Sequence, residues 1–294
     1  MLSEESLRRW IGRRTEVAVD VVDERRVADL AATLDEAHTP ARGEPLPELW
    51  HWMLFAPMRR PADLGRDGHP QLGDFLPPVP HARRMWAGGR LQFHAQMRVG
   101  QSLRRTSEVT GVRMKTGRSG TLVFVTVRHL IHRGRRASPV LTEEHDIVYR
   151  PMGATHASTP TPAPAATSAT APAASIVAPR MRHTVAPDPV LLFRYSALTA
   201  NGHRIHYDRE YARQVEGYPG LVVHGPLIVT LLLQLLRREG GQPRLLSLEY
   251  RALNPAFEPG LLHLNGAPAV TPNVIDLWAT DENGRVLMHA RAHV

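Results

Sequence analysis

The feature that most restricts the fold of this chain is a long apolar run near its C-terminus. Residues Leu221–Arg237 (LVVHGPLIVTLLLQLLR) are almost continuously apolar, and Gly240 and Gly241 end the run. A helix that is apolar on every side has no face for water, so it must be enclosed by protein. The run is shorter than the roughly 20 apolar residues that cross a bilayer. We therefore predict a buried helix from Gly225 and no membrane association.

Eight segments with the pattern of β-strands accompany this helix. Four lie in the first half of the chain and four after the helix, and they are rich in β-branched, aromatic or alternating apolar residues. A buried helix followed by an antiparallel meander predicts an α+β fold, and a sheet wrapped around a central helix is a hot-dog fold. The segments are Arg90–Arg98, Leu103–Val112, Thr121–His132, Val140–Arg150, Arg244–Leu253, Leu261–Ala267, Val274–Thr280 and Val286–His293.

A spacer separates the two sets of strands. Residues Gly153–Ala178 are almost entirely Ala, Pro, Thr and Ser, which cannot build a core and form a semi-extended chain. We therefore predict an N-terminal hot-dog domain at residues 1–152, a linker at 153–182 and a C-terminal hot-dog domain at 183–294. The two antiparallel sheets are expected to pair into one, which makes a double hot dog.

Composition excludes several classes of protein. The chain has no cysteine, so it has no disulfide, thiolate nucleophile or thiolate metal site. Its N-terminus begins with acidic residues and lacks an apolar run, so we predict no secretory signal and a cytoplasmic location.

The net charge of +8 comes almost wholly from arginine, because Lys115 is the only lysine. A genome biased toward arginine codons would explain the excess, and so would attraction of nucleic acid or of the phosphates of coenzyme A. No zinc-finger spacing or aromatic-rich RNA motif is present. We therefore expect an acyl-CoA partner and no nucleic acid.

The densest group of polar side chains lies upstream of the apolar run. Residues Tyr195–Asp208 (YSALTANGHRIHYD) place Asn201, His203 and His206 close together. A surface loop would also give this composition. The segment is, however, flanked by two short helical patterns and precedes the buried helix, so its polar side chains are expected to meet the start of that helix.

The buried helix opens on His224-Gly225-Pro226. Proline favours the first helical position, and glycine lets a ligand approach the backbone. The free N–H groups and the positive dipole end can stabilise an oxygen that becomes negative during a reaction. Tight packing of the glycine is the alternative explanation.

Both segments, YSALTANGHRIHYD and GLVVHGPLIVTLLL, resemble the MaoC-like (R-specific) enoyl-thioester hydratases. The whole chain apart from the spacer is similar to the two-domain subgroup of that family. The resemblance implies a double hot-dog enzyme that reversibly hydrates an acyl thioester and needs neither a metal nor an organic cofactor. In the first half it is carried by GHPQLGDFLPPVP, RRMWAGGRLQFH, VGQSL, KTGRSGTLVFVTVRH and TEEHDIVYR.

The hydratase motif of that family has an aspartate, an asparagine-proline pair, and a histidine five residues after the aspartate. These positions fall on Asn201, His203-Arg204 and His206 in this chain. An amide cannot take up a proton near neutral pH. The resemblance therefore implies that His206 is the general base and that Asn201 orients the attacking water, with His203 as a second titrating group.

The resemblance also assigns the remaining catalytic groups. The family's hydroxyl residue inside the central helix falls on Thr230, and its oxyanion donor falls on the Gly225 N–H. A metal site at His203, His206 and Asp208 is an alternative that we do not favour, because metal-bound acyl chemistry would not need the glycine at the helix start.

Candidate substrate contacts lie in both halves. Arg84 and Trp86 precede the predicted strand at Arg90–Arg98, where a guanidinium could bind a phosphate or a carboxylate. A solvated arginine pair is the alternative. The first half lacks a catalytic motif and is expected to form the substrate channel. The candidates in the second half are Arg204, His224 and Arg251.

We expect reversible hydration of 3-methylfumaryl-CoA, which is mesaconyl-CoA with its thioester at carbon 4, to citramalyl-CoA, or of a close dicarboxyl analogue. Two alternatives remain: a 3-hydroxyacyl-thioester dehydratase of fatty-acid metabolism, and a catalytically weak hot-dog protein that binds acyl-CoA. A short pocket that ends at an arginine favours the dicarboxylate, and a deep apolar pocket favours a fatty acyl chain. A homodimer is also compatible with the sequence.

Overall fold

One antiparallel sheet of ten strands runs through the described part of the chain. The computed structural model describes residues 3–15, 17–80, 82–117, 120–135, 137–151 and 178–294. The strands are β1 (Ala18–Val21), β2 (Ala82–Phe93), β3 (Ser102–Gly117), β4 (Gly120–Arg133), β5 (Pro139–Pro151), β6 (Met181–Val185), β7 (Leu221–Val222), β8 (Ser247–Ala252), β9 (Phe257–Glu258), β10 (Leu262–Pro268), β11 (Val274–Thr280) and β12 (Val286–His293). The sheet order is β1-β3-β4-β5-β2-β8-β12-β11-β10-β6, and β7 pairs separately with β9.

Five α-helices lie in the described ranges. Three begin at aspartate caps: Asp23 accepts a hydrogen bond from the Arg26 N–H, Asp188 accepts one from the Leu191 N–H, and Asp208 accepts one from the Tyr211 N–H. Such caps satisfy N–H groups that have no acceptor within the helix. The helices are α1 (Glu4–Arg8), α2 (Glu24–Thr33), α3 (Pro189–Leu198), α4 (Arg209–Gln214) and α5 (Gly225–Glu239).

The two halves are joined where β2 pairs with β8. Gly88 and Gly89 lie at this junction, opposite Arg251 and Tyr250. A Cβ atom at Gly89 would lie 2.3 Å from the Tyr250 hydroxyl oxygen, and one at Gly88 would lie 2.5 Å from the Tyr250 carbonyl oxygen. Glycine is needed for this close approach. The pairing combines two antiparallel sheets into one, as the sequence predicts.

Helix α5 is enclosed by protein, as its composition predicts. All residues of Leu227–Leu236 are buried, and burying one such leucine contributes about 1.5–3 kcal/mol. The helix also bonds to the first half. Gln234 Nε2 donates to the Leu34 carbonyl at 2.7 Å, and Arg237 forms a 2.7 Å ion pair with Glu36. These contacts fix α5 relative to the first half.

One strand of the first half differs from its prediction. The sequence predicts a strand at Arg90–Arg98, whereas β2 spans Ala82–Phe93. Arg84 and Trp86 therefore lie inside the strand and not ahead of it. A glycine pair usually weakens a strand, but in β2 the pair allows the close approach of β8.

Most of the predicted linker, from residue 153 to residue 177, lies outside the described part of the chain. Strand β6 begins at Met181, inside the last two residues of the predicted linker. Among the described residues, we find no helix with the length and apolar character needed to span a membrane.

Candidate active site

His206 is held in one tautomer at the end of a short 3-10 turn, Arg204–His206. Its Nδ1 lies 2.7 Å from the Val222 carbonyl oxygen. A carbonyl can only accept, so Nδ1 carries the proton and Nε2 carries the lone pair. The ring is 7 % exposed, and its centre lies 3.7 Å from that of the stacked His224 ring. His206 Nε2 is therefore able to accept a proton.

Burial keeps the histidines around His206 uncharged. It lowers the pKa of His206 to about 4, against the opposing effect of the Val222 hydrogen bond. It also lowers the pKa of His224 well below its usual value, with smaller contributions from His206 and His203. Burial, followed by the charge of His69, lowers the pKa of His203 to about 2. At neutral pH His206 is a free base.

Asn201 presents an amide donor beside this turn. Its Oδ1 accepts a hydrogen bond of 3.1 Å from the His203 backbone N–H, which fixes the orientation of the amide. Its own backbone N–H donates to the Ser196 carbonyl at 2.9 Å. The two Nδ2 hydrogens are left to donate to a water or to a substrate oxygen.

The start of α5 presents a backbone N–H next to the same turn. His224 is the N-cap residue, its side chain makes no capping bond, and Pro226 lies in the first turn. The Gly225 N–H has no acceptor within the helix. A Cβ atom at Gly225 would lie 2.7 Å from the Trp86 ring, so glycine leaves room for the indole. His224 is anchored because its Nε2 lies 2.8 Å from Ser196 Oγ.

A cavity of about 220 Å³, the inner cavity, is lined by residues of both halves. Tyr195, Asn201 and Pro226 line it from the second half. His206 is not among its lining residues and lies behind this wall, stacked on His224. The wall from the first half carries aromatic and charged side chains: His51, Trp52, Phe55, Trp86, Arg105, His129, Glu143 and His145.

A second cavity of about 470 Å³, the outer cavity, shares Asn201 and Ala56 with the inner cavity. Its lining is largely apolar and includes Met58 and Phe193, which are 75 % and 61 % exposed. The two cavities are therefore neighbours, and Asn201 lies in the wall of both.

The first-half wall of the inner cavity contains a buried charged cluster that sequence reasoning missed. The Glu143 carboxylate accepts a hydrogen bond of 2.6 Å from Trp52 Nε1, and it lies 2.6 Å from His145 Nε2 and 3.1 Å from His51 Nε2. Burial opposes ionisation of Glu143, but His145 and His51 bring its pKa well below the usual range. The carboxylate is therefore ionised inside the protein.

Strand alternation is the signal that could have located this cluster. Leu141, Glu143 and His145 occupy alternate positions of β5, and His129 lies opposite Glu143 on β4. Alternate residues of a strand share one face, so Glu143 and His145 face the same side of the sheet as the buried Leu141. Buried titratable groups of this kind mark candidate functional sites.

The predicted substrate contacts are separated in the structure. Trp86 lines the inner cavity, and His224 lies behind it at the helix start. Arg204 is engaged elsewhere, because it forms a 2.7 Å ion pair with Asp208 and lies over the Tyr211 ring.

Arg84 and Arg251 do not line the inner cavity. Arg251 follows Tyr250, whose ring is stacked on Trp86, and successive strand residues alternate, so Arg251 lies on the opposite face of the sheet. Arg84 lies opposite Tyr149 in the pairing of β2 with β5. Contact of Arg84 with a phosphate or a carboxylate, and of Arg251 with the acyl group or coenzyme A, stays a prediction.

Thr230 supports the helix start from inside α5. It is 2 % exposed, its Oγ1 donates to the Pro226 carbonyl at 2.8 Å, and it lies beside the Tyr195 hydroxyl. It does not line the inner cavity. Its hydroxyl is therefore placed to fix Pro226 and Tyr195, which do line the cavity.

One group in the described residues could hold a metal ion. Ligand atoms of Asp67, His69 and His203 lie within 4.8 Å of one another. His69 Nδ1 lies 2.9 Å from Asp67 Oδ2, so the carboxylate and this ring already satisfy each other. The metal group considered from sequence differs from this one, because its Asp208 is paired with Arg204.

Comparison with known proteins places this geometry in a family. The hydroxyacyl-thioester dehydratase type 2 family matches residues 49–258, which is more than half of the chain. The chain is 42 % identical over 281 residues to a mesaconyl-C(4)-CoA hydratase of Chloroflexus aurantiacus, covering 96 % of this chain and 95 % of that protein.

Solved structures show the same fold. A MaoC-like dehydratase from Phytophthora capsici superimposes with a TM-score of 0.71 at 15 % identity, covering 100 % of this chain and 99 % of that chain. A Mycobacterium tuberculosis protein described as having a double hot-dog fold gives a TM-score of 0.53 at 16 % identity, covering 96 % of this chain and 95 % of that chain.

The fold and the family together define a double hot-dog enzyme of the hydro-lyase class, which confirms both expectations. The chain belongs to the hydroxyacyl-thioester dehydratase type 2 family.

Proposed function

We propose that this enzyme reversibly hydrates 3-methylfumaryl-CoA to citramalyl-CoA. The observation that carries the proposal is the position of Asn201, whose side chain lies where the apolar outer cavity meets the small, charged inner cavity. A thioester that enters through the outer cavity would place its acyl group in the inner one. The relative that is 42 % identical is itself named a mesaconyl-C(4)-CoA hydratase.

The size of the inner cavity supports a short acyl group. At about 220 Å³, the cavity is smaller than the roughly 300–1,000 Å³ typical of pockets that hold drug-sized ligands. The bulky side chains of Trp52, Trp86 and Ile131 line it, and they limit the length of chain that it can accept.

The proposed mechanism uses three groups of the second half. An Asn201 Nδ2 hydrogen holds the water that attacks the β-carbon, and His206 Nε2 takes a proton from that water, directly or through one further water. As the C–O bond forms, the electrons of the C=C bond move onto the thioester, and the Gly225 N–H stabilises the resulting enolate oxygen. Transfer of the proton from His206 to the α-carbon completes the addition.

The low pKa of His206 suits the second half of this reaction. With a pKa of about 4, the ring is a weak base but a strong acid once protonated. The bound imidazolium therefore returns its proton readily to the enolate α-carbon. This property would favour fast completion of the addition over accumulation of an enolate.

The proposal is tested by following the absorbance of the enoyl thioester with 3-methylfumaryl-CoA, crotonyl-CoA and a long-chain 2-enoyl-CoA. We expect the highest kcat/KM with 3-methylfumaryl-CoA. Faster turnover of the long-chain substrate would contradict the proposed substrate. Tight binding of every thioester without turnover would contradict the proposed activity and support a protein that only binds acyl-CoA.

A 3-hydroxyacyl-thioester dehydratase of fatty-acid metabolism is the second candidate. The outer cavity favours this dehydratase, because its volume of about 470 Å³ and its largely apolar lining could hold an acyl chain. In that case the acyl chain would occupy the outer cavity, and shortening it would lower kcat/KM progressively.

A further inference from the structure

Arg105 places a guanidinium group in the wall of the inner cavity. In the described part of the chain, no Asp or Glu oxygen forms an ion pair with it within 4.0 Å, although Glu143 and Asp20 are near enough to influence its charge. Several other partly buried arginines form such ion pairs, as Arg26 does with Asp20 at 3.1 Å. A buried charge without an ion-pair partner is costly unless a ligand supplies one.

One donor of Arg105 holds a strained loop. Phe55 has a φ of 56°, a left-handed conformation that is unusual for a large side chain. Its N–H donates to Asp20 Oδ2 at 2.8 Å, and its carbonyl accepts from Arg105 Nη2 at 3.0 Å. The loop thereby fixes the guanidinium, whose Nε and Nη1 hydrogens remain for a ligand.

The groups next to Arg105 favour an anion in this part of the cavity. Glu143 already accepts from Trp52 and contacts both His51 and His145, so its carboxylate oxygens are already engaged by these side chains. The His145 side chain is 23 % exposed and lines the same cavity. A ligand that reaches this wall meets a guanidinium and an imidazole.

We propose that Arg105 binds the free carboxylate of a dicarboxyl acyl thioester and thereby sets the substrate specificity of the enzyme. This inference rests on the proposed hydration. In 3-methylfumaryl-CoA the carboxylate is attached to the β-carbon, on the side away from the thioester. With the thioester at the Gly225 N–H, the carboxylate faces the wall that contains Arg105. A guanidinium binds a carboxylate through two parallel hydrogen bonds, which a neutral acyl group cannot form.

The test compares two substrates that differ only at this group. In 3-methylbut-2-enoyl-CoA a methyl group replaces the carboxylate of 3-methylfumaryl-CoA. We expect Arg105→Met to lower kcat/KM for the dicarboxyl substrate by about 10²-fold or more, as is typical when a buried charged partner is removed. The neutral substrate should be turned over as well as before or better, because the cavity has become less polar.

Two further variants control for changes in the fold. Arg105→Lys keeps the charge and one donor but loses the planar fork, so it should keep part of the preference. Arg104→Met is the matched control, because Arg104 is the next residue on β3, faces the other side of the sheet and donates to the Gly134 carbonyl. It should leave the preference unchanged. Equal losses on both substrates in Arg105→Met at an unchanged Tm would overturn the inference.

Binding of saturated thioesters separates failure of this inference from failure of the proposed function. Succinyl-CoA and butyryl-CoA cannot be hydrated, and they differ by the same exchange of a carboxylate for a methyl group. By calorimetry we expect the wild type to bind succinyl-CoA more tightly and Arg105→Met to lose that preference. An enzyme that shows this preference without hydrating either enoyl-CoA would contradict only the proposed function. An active enzyme without the preference would contradict only the carboxylate site.

Discussion

The two halves of the molecule each contribute a histidine cluster near the inner cavity, and the clusters differ in their carboxylates. In the first-half cluster, His51 and His145 flank the buried Glu143 at 3.1 and 2.6 Å. In the second-half cluster, His206 meets a backbone carbonyl and His224 meets a hydroxyl. The same residue type therefore has an ionised partner in one half and neutral partners in the other.

This difference decides what each cluster can do. The first-half cluster contains the ionised carboxylate of Glu143, whereas the neutral oxygen partners in the second-half cluster leave burial to keep its rings uncharged. The second-half cluster is thus suited to accept a proton during catalysis. The first-half cluster is suited to hold charge and, with Arg105, to receive an anion.

Replacing one histidine in each cluster tests this division most strongly. We expect His206→Gln to lower kcat by about 10²–10⁴-fold, the usual contribution of a general base. His145→Gln should act mainly on KM for the dicarboxyl substrate, because His145 lines the cavity without taking the proton. Half-buried His263, which lies beside Thr184, provides the control variant His263→Ala. A loss of kcat that is larger in His145→Gln than in His206→Gln would assign the general base to the first half.

Removing the carboxylate should destabilise the first-half cluster. Glu143→Gln leaves the buried His51 and the half-buried His145 without their ionised partner, and removing one partner of a buried charged group costs on the order of 3 kcal/mol. The matched control is Glu144→Gln, because Glu144 lies on the other face of β5 and pairs with the half-exposed Arg90. Denaturant unfolding measures both changes. Equal, small losses in the two variants would mean that the buried charge of Glu143 is not a structural requirement.

Asn201 offers a way to give the second-half cluster a carboxylate. Asn201→Ala should lower kcat by about tenfold or more, since one hydrogen bond to the attacking water is lost. Asn201→Asp keeps the acceptor for the His203 N–H but removes the Nδ2 donor. If its activity survives or rises, water orientation is the role of Asn201. A steep fall would show that the amide hydrogens are needed, as a donor to a substrate oxygen that a carboxylate would repel.

A wild type that is inactive on every enoyl-CoA, with activity gained only in Asn201→Asp, would support the binding-only alternative. We expect the wild type to be active.

Local patterns were enough to predict the second half. The apolar run of α5 and the turn that holds Asn201 and His206 depend on neighbouring residues, so their sequence signals are strong. The start of α5 at Gly225 follows from its proline and its apolar run. These features could be predicted because they do not depend on long-range pairing.

The first-half cluster could not be predicted in the same way. Its members come from a 3-10 turn at Trp50–Met53 and from strands β4 and β5, which meet only through the sheet register. The strand face that Arg251 occupies could not be predicted for a related reason, because a shift of one residue in register moves a side chain to the other face. Arg105 is isolated in sequence among scattered arginines, and only its position on β3 opposite Ile131 reveals it.

The stability of the protein should fall in acid, because His206 and His224 are buried without a carboxylate partner. Burial lowers the pKa of His206 and His224 in the folded state, so the unfolded chain takes up protons below about pH 6.5 that the folded chain does not. Stability is then highest above that pH and falls as the pH decreases, by up to about 1.4 kcal/mol per pH unit for each such group. Urea unfolding between pH 7.5 and about pH 5 measures the slope, which should become shallower in His206→Gln. A free energy of unfolding that is independent of pH across this range would contradict this prediction.

The protonation state of His206 in the folded enzyme tests the central claim most directly. Long-range proton–nitrogen correlation spectra of the ¹⁵N-labelled protein distinguish neutral from charged imidazole and one tautomer from the other, and the signals of His206 are those lost in His206→Gln. We predict a neutral ring with its proton on Nδ1, unchanged down to about pH 5, because its pKa is about 4 and Nδ1 donates to the Val222 carbonyl. A ring that is charged near neutral pH, or that carries its proton on Nε2, would contradict its role as the general base.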